Sequence, residues 1–184
     1  MQRKDLYNII AYEKDLYGMK FTSRIRGIIA CEPMYQTWKW LKASRYYDYY
    51  YSEYTRTRSF KYNLLSLFYA HKRNKLAERL GIDVNTKNVS KGLMLYHLGA
   101  TVINGGSVIG ENCKLHGNNC IGNAGPADSK CPRIGKNVEI GVGAKIIGDV
   151  TIADNIIIGA GAIVVNSFLD AGITIAGVPA KRIK

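Results

Sequence analysis

An imidazole titrates near pH 6.5, so a well-placed histidine can take up or give a proton at neutral pH. The chain has three histidines, and the surroundings of His97 mark it for that work. It lies in Tyr96-His97-Leu98-Gly99-Ala100, where a sixfold spacing of aliphatic residues is broken: Leu95 and Ile103 stand eight apart instead of six. His116 follows Leu115 and is a candidate to face the same cleft from a neighbouring coil, with a plain surface position as the leading alternative. Cys131 sits in a second interruption, where a thiol nucleophile is one candidate role. His71 lies in a different kind of sequence, and no histidine pair has metal-ligand spacing, so no metal is expected. The four cysteines (Cys31, Cys113, Cys120, Cys131) form no CxxC pair and read as reduced thiols of a cytoplasmic protein.

The spacing that frames these residues is the strongest structural signal in the chain. Ile134, Ile140, Ile146, Ile152, Ile158 and Val164 recur every sixth position, and Val138, Ala144, Val150, Ile156, Ala162 and Phe168 follow four residues after each. Upstream, Ile103, Ile109, Leu115 and Ile121 keep the same step. A period of six fits neither a helix nor a strand. It fits a chain that turns a corner every six residues, three short strands making one coil of a parallel β-helix. The first residue of each hexad is expected to point inward, with Gly or Asn after it accepting the corner. The second break, 122–132, is rich in Gly and Pro and should leave the coil as a loop. Interruptions of a regular scaffold are where function is usually placed.

Composition divides the chain. Of 19 glycines, 17 lie from Gly81 onward, while 12 of 13 tyrosines precede it. Residues 1–80 carry 16 Lys+Arg against 7 Asp+Glu, and residues 81–184 carry 10 against 7. This indicates a basic, tyrosine-rich helical domain over 1–80 and a β-helix over 81–184. In the first part, Leu6, Ile9, Ile10 and Leu16 have roughly helical spacing, Ser23 is a candidate cap for a helix carrying Ile25, Ile28 and Ile29, and Phe60–Leu80 forms a further helix ending at Gly81. The run Arg45–Tyr54 interleaves aromatics with cations. Packing of helix on helix, or on a neighbouring subunit, is the leading reading; contact with an anionic membrane surface is the second. No nucleic-acid-binding motif accompanies the charge. No apolar run has signal-peptide or transmembrane length, so the expected location is cytoplasmic, with the inner membrane face as the variant.

Four segments in order carry a family resemblance: Gly92-Leu93-Met94-Leu95-Tyr96-His97, Val108-Ile109-Gly110-Glu111, Gly141–Gly148 after the Gly/Pro loop, and Ala176-Gly177-Val178-Pro179-Ala180-Lys181. Over about residues 81–184 the chain resembles the serine acetyltransferase branch of hexapeptide-repeat acyltransferases. The resemblance implies a left-handed β-helix preceded by a small helical domain, and a homotrimer or dimer of trimers with sites between subunits. It implies acetyl-CoA as donor and direct transfer within a ternary complex. His97 falls on the family's general base. Asp83 falls on the aspartate that orients it, with one residue fewer between them. The donor should lie against Gly143, Ala144, Gly161 and Ala162, taking hydrogen bonds from nearby backbone N–H groups, with Lys181 and Arg182 meeting its phosphates.

Two departures bear on the acceptor. The family carries an aspartate just before the base and a histidine after the loop, both contacting serine; here Tyr96 and Cys131 stand at those positions, the latter beside Lys130. Loss of groups that hold charged ends costs orders of magnitude in specificity, and an aromatic beside the base suits a sugar ring. Tyr96, Cys131, His116 and Lys130 are therefore the candidate acceptor-site residues. A carbohydrate hydroxyl, as in the acetyltransferases of capsule, exopolysaccharide and O-antigen clusters, is the leading acceptor, and L-serine is the alternative. A metal-dependent β-helix enzyme such as a zinc carbonic anhydrase, or a β-helix without activity, is the rival of another class.

Overall fold

A computed structural model describes residues 2–126 and 130–184, so residues 127–129 of the interruption 122–132 lie outside the described residues. The chain divides into two compact units, Met1–Leu80 and Gly81–Lys184.

The first unit holds α1 (Arg3–Leu16), α2 (Phe21–Ile29), α3 (Pro33–Thr57) and α4 (Phe60–Leu80). Pro33 opens α3, where a missing N–H costs nothing. α4 gives way to Gly81 at φ +66°, the left-handed conformation that commonly ends helices. Ser23 does not cap α2. The chain reverses at Gly18 (φ +64°) and is already extended at Lys20, so the helix starts at Phe21 and encloses Ser23.

The tyrosines pack helix on helix. The Tyr69 ring of α4 stacks 4.7 Å from Tyr46 and 5.5 Å from Tyr50 of α3, while Leu6 and Ile10 of α1 pack with Tyr49. Glu13 of α1 and Arg45 of α3 form a buried pair: Arg45 Nη2 donates to Glu13 Oε1 at 2.7 Å and Nε donates to the same oxygen at 3.1 Å. Ile25, Ile28 and Ile29 of α2 and Leu64, Leu67 and Phe68 of α4 face outward, whereas Leu76 and Leu80 are buried. Helical spacing identifies an apolar face but not what covers it. Among the described residues, no helix is long and apolar enough to cross a membrane.

The second unit is built from three sheets of short parallel strands. One holds β1 (Ile82–Val84), β3 (Thr101–Ile103), β6 (Cys120–Gly122), β9 (Lys145–Ile147) and β12 (Ile163–Val164). A second holds β4 (Val108–Ile109), β7 (Arg133–Ile134) and β10 (Thr151–Ile152). The third holds β2 (Met94–Leu95), β5 (Lys114–Leu115), β8 (Glu139–Ile140), β11 (Ile157–Ile158) and β13 (Thr174–Gly177), with β14 (Ala180–Arg182) added antiparallel. The chain visits the sheets in turn, and the hexad aliphatics stack coil on coil: Ile134 on Ile152, Ile140 on Ile158, Ile146 on Val164. All six are at most 3% exposed, so the period of six marks the core.

The corner chemistry differs from the expected one. The left-handed conformation falls three residues after the core aliphatic, at Asn112, Asn118, Asn137, Gly143, Asn155 and Gly161. Asn and Gly are the residues that adopt it at least cost. The glycines directly after the aliphatic serve a steric purpose instead. A Cβ on Gly141 would lie 2.6 Å from the Ala160 nitrogen and 2.8 Å from the Gly159 carbonyl carbon of the next coil. Gly141→Ala is therefore expected to lower stability by about 1–3 kcal/mol, the usual range for overpacking. Gly125, where a Cβ meets nothing within 4 Å, is the control site. Chemical denaturation of the two variants checks this.

Candidate active site

The corner between the β2-β5-β8 sheet and the β3-β6-β9 sheet gathers the candidate catalytic groups. In each coil an outward side chain follows the core aliphatic. Leu95 stacks on Leu115 and Leu115 on Ile140, which brings Tyr96, His116 and Gly141 into one line. Backbone bonds hold that line: the Tyr96 N–H donates to the Leu115 carbonyl (2.9 Å), and the His116 N–H donates to the Ile140 carbonyl (3.0 Å). The Tyr96 and His116 rings stack at 4.9 Å with 19° between planes, and the His97 ring centre lies 6.4 Å from that of His116.

His116 is half-buried and has a carboxylate partner. Its Nε2 donates to Glu139 Oε1 at 3.0 Å, and Lys114 Nζ lies 3.6 Å from the other carboxylate oxygen. The turn below is fixed by Asn119, fully buried, whose Oδ1 accepts from the Gly117 N–H (3.0 Å) and whose Nδ2 donates to the Gly141 carbonyl (2.8 Å). Gly117, at φ +99°, allows this close approach: a Cβ there would sit 3.1 Å from the His97 carbonyl oxygen.

His97 is exposed at the turn after β2. Asp83 is exposed at the centre of β1, between inward Ile82 and Val84. No hydrogen bond or ion pair joins Asp83 to His97 among the described residues. The carboxylate–imidazole pair that the structure does form is Glu139–His116. Glu139, Asn119 and Gly117 were not singled out from the sequence, because 23 residues and a non-repetitive loop separate Glu139 from His116. The available signal was the register: once the loop is removed, the residue before Ile140 must fall beside the residues flanking Leu115.

Gly143, Ala144, Gly161 and Ala162 continue the same corner along the coil stack. Their amides are already engaged: Gly143 N–H donates to the Gly117 carbonyl (2.9 Å), Gly161 N–H to Val142 (2.9 Å), Ala144 N–H to Gly141 (3.2 Å) and Ala162 N–H to Gly159 (3.2 Å). The expected backbone donors for a ligand are thus not these four. Gly143 and Gly161 instead have open space where a Cβ would stand, which lets a ligand chain lie close to the backbone. Lys181 is exposed on β14, and Arg182 lies 3.5 Å from Asp170 in an exposed pair.

Cys131 and Lys130 lie at a different corner, just before β7. The Cys131 thiol donates to Asn104 Oδ1 at 3.5 Å, and Lys130 pairs with Asp149 at 2.9 Å. Within one chain the structure does not bring Cys131 to the histidines. Cys113 is buried and its thiol is pushed up to about 11 by burial, so it is not a nucleophile near neutral pH. No cluster of metal-ligating side chains occurs among the described residues.

The family described as Bacterial transferase hexapeptide (six repeats) matches residues 131–177. Over 118 residues the chain is 32% identical to a serine acetyltransferase of Buchnera aphidicola subsp. Schizaphis graminum, covering 62% of this chain and 45% of that protein. Over 87 residues it is 33% identical to WcaB of Escherichia coli (strain K12), named for acetyl transfer in colanic acid biosynthesis, covering 47% of this chain and 54% of that one. A solved serine acetyltransferase in complex with CoA shares the fold at a TM-score of 0.68 and 19% identity, over 98% of this chain and 70% of that one. The chain spans about half the length of the curated relatives it matches. Residues 131–177 thus match a hexapeptide transferase family, and the proteins this chain is similar to include serine acetyltransferases and WcaB.

Proposed function

We propose that the chain is an acetyl-CoA-dependent O-acetyltransferase. The observation that carries this reading is the corner described above: an exposed imidazole, a second imidazole held by a carboxylate, and a strip of open glycine positions run along one edge of a hexapeptide-repeat β-helix. The names of the relatives and the CoA complex of the same fold support it. We read the β-helix as left-handed, as the family resemblance implies.

The chemistry follows from what the groups can do. His97 takes the proton from the acceptor hydroxyl as its oxygen attacks the acetyl carbonyl. The C–S bond then breaks, and the departing CoA sulfur takes the proton from the imidazolium. No protein acyl intermediate is needed. Tyr96 and His116 form a rigid wall beside the reacting hydroxyl, with Glu139 fixing the His116 ring, and Asp83 is the residue placed by the resemblance to steady His97. Because Cys131 and Lys130 sit at another corner, we assign the complete acceptor site to two neighbouring protomers of a trimer, each giving one corner.

The acceptor has two readings. The named relatives favour L-serine, since serine acetyltransferases predominate among them. The Tyr96–His116 stack favours a carbohydrate hydroxyl, since an aromatic wall offers a ring face to a sugar; the match to WcaB is in line with it. A thiol-release assay with acetyl-CoA separates them. A kcat/KM of about 10⁴ M⁻¹s⁻¹ or above with L-serine, within the ordinary enzyme range, establishes the first reading. Weak serine turnover beside efficient acetylation of a nucleotide sugar establishes the second. Absence of acetyl-CoA binding removes both.

A further inference from the structure

The helical unit contains a cavity of about 270 Å³ lined by Arg24 of α2, by Tyr35, Trp38, Lys39, Lys42, Ala43 and Tyr46 of α3, and by Tyr69 and Lys72 of α4. Four cations meet there, and no carboxylate lines the wall. None of the four is in an ion pair among the described residues. Lys39 contacts Gln36 at 3.5 Å and lies 5.4 Å over the Tyr35 ring, and Lys42 lies 5.1 Å over Trp38. The indole N–H of Trp38, a residue 4% exposed, is buried without an acceptor. A buried donor left unpaired costs free energy and calls for an explanation. Burial, then the like charges of Arg24, Lys72 and Lys14, hold the Lys42 ammonium below its ordinary pKa. The cavity is thus a concentration of positive charge with no carboxylate among its lining residues, walled on the remaining sides by aromatic rings.

We propose that this cavity binds a small phosphate-bearing ligand, with one or two phosphate groups among Arg24, Lys39, Lys42 and Lys72 and its organic part against Tyr35, Trp38 and Tyr46. Guanidinium and ammonium groups are the usual partners of phosphate. The aromatic rings suit a sugar or base face. The volume lies just below the range of ligand pockets, which suits a small ligand and not a folded polymer. This inference is independent of the acetyl-transfer reading, because its test measures binding alone.

The probe is inorganic pyrophosphate titrated into the full chain at low ionic strength, followed by calorimetry and by fluorescence of the tryptophans. Binding with one site per chain is expected, weakening as salt is raised. Lys42→Met and Lys72→Met should each weaken it about tenfold or more, as loss of a charge-assisted contact does. Lys61→Met, an exposed cation on α4 outside the cavity, should leave it unchanged. Vesicles of phosphatidylglycerol form a second arm. Vesicle binding that depends on Lys42 and Lys72 but not on Lys61, and is not matched by pyrophosphate, assigns the cavity to a lipid headgroup as the source of the phosphate. Equal loss in all three variants would show only a diffuse basic surface and overturn the proposal. Absence of binding in both arms would do the same. Thermal melts of each variant verify folding, and Lys72→Met carries the test if Lys42→Met is unstable.

Discussion

His97→Ala is expected to lower kcat by about 100- to 10,000-fold, the range for loss of a general base, while the affinity for acetyl-CoA stays nearly constant. The reason is positional. His97 is exposed at the turn after β2, outside the strip of Gly143, Ala144, Gly161 and Ala162 assigned above to the donor, so its loss is expected to remove proton transfer and leave donor binding intact. The neighbouring carboxylates divide the question further. If Glu139 orients the working wall through His116, Glu139→Gln reduces kcat more than Asp83→Asn does, because Glu139 has the imidazole contact at 3.0 Å. Steady-state kinetics on the four proteins, with KM for both substrates, decide this. A His97→Ala enzyme that keeps more than a tenth of its turnover would remove His97 as base and turn attention to His116.

The second large effect belongs to stability. Glu13→Ala leaves the Arg45 guanidinium, 7% exposed, without the carboxylate that balances it. Breaking a buried pair from one side costs about 3–5 kcal/mol. Urea unfolding followed by circular dichroism should show that loss in the helical signal. Replacing both partners by methionine should recover most of it, since the desolvation of two charges then disappears together. A single-variant loss under about 1 kcal/mol would mean that water reaches the arginine, against its burial. Catalysis and stability are thereby separable, one residue in each unit.

The two kinds of structure differed in how much the sequence revealed. Ile140 and Ile158 announce their burial because a solenoid core has a single inside and a fixed step. Even the break between Leu95 and Ile103 was legible as a stretch, and the pairing of Leu95 with Leu115 spans two residues more than that of Ile134 with Ile152. Leu64 and Phe68 show the opposite. Their helical spacing is genuine, but a helix face has no fixed partner, and here it faces outward. At the site, local motif carried His97 and Tyr96, whereas Glu139 was hidden by a loop whose length no periodicity reports. The corner glycines were seen and misread. Close stacking and left-handed conformation both select glycine, and only the structure separates Gly141 from Gly143.

The coil stacking also sets how this molecule can change over evolutionary time. From Ile134 to Ile152 one coil takes eighteen residues, and each coil meets its neighbours through the same three pairings. An insertion of one whole coil leaves every aliphatic residue inward and every corner Asn or Gly over another. An insertion of a single residue puts all later hexads out of phase with those before it. Length in this domain should therefore vary in quanta, by duplication or loss of entire turns, with smaller changes confined to places where the register is already broken, among them the stretch from Leu95 to Ile103 and the interruption 122–132. Those two places carry His97 and Cys131, so the same positions that tolerate a changed length are the ones to which the proposed acceptor site is assigned.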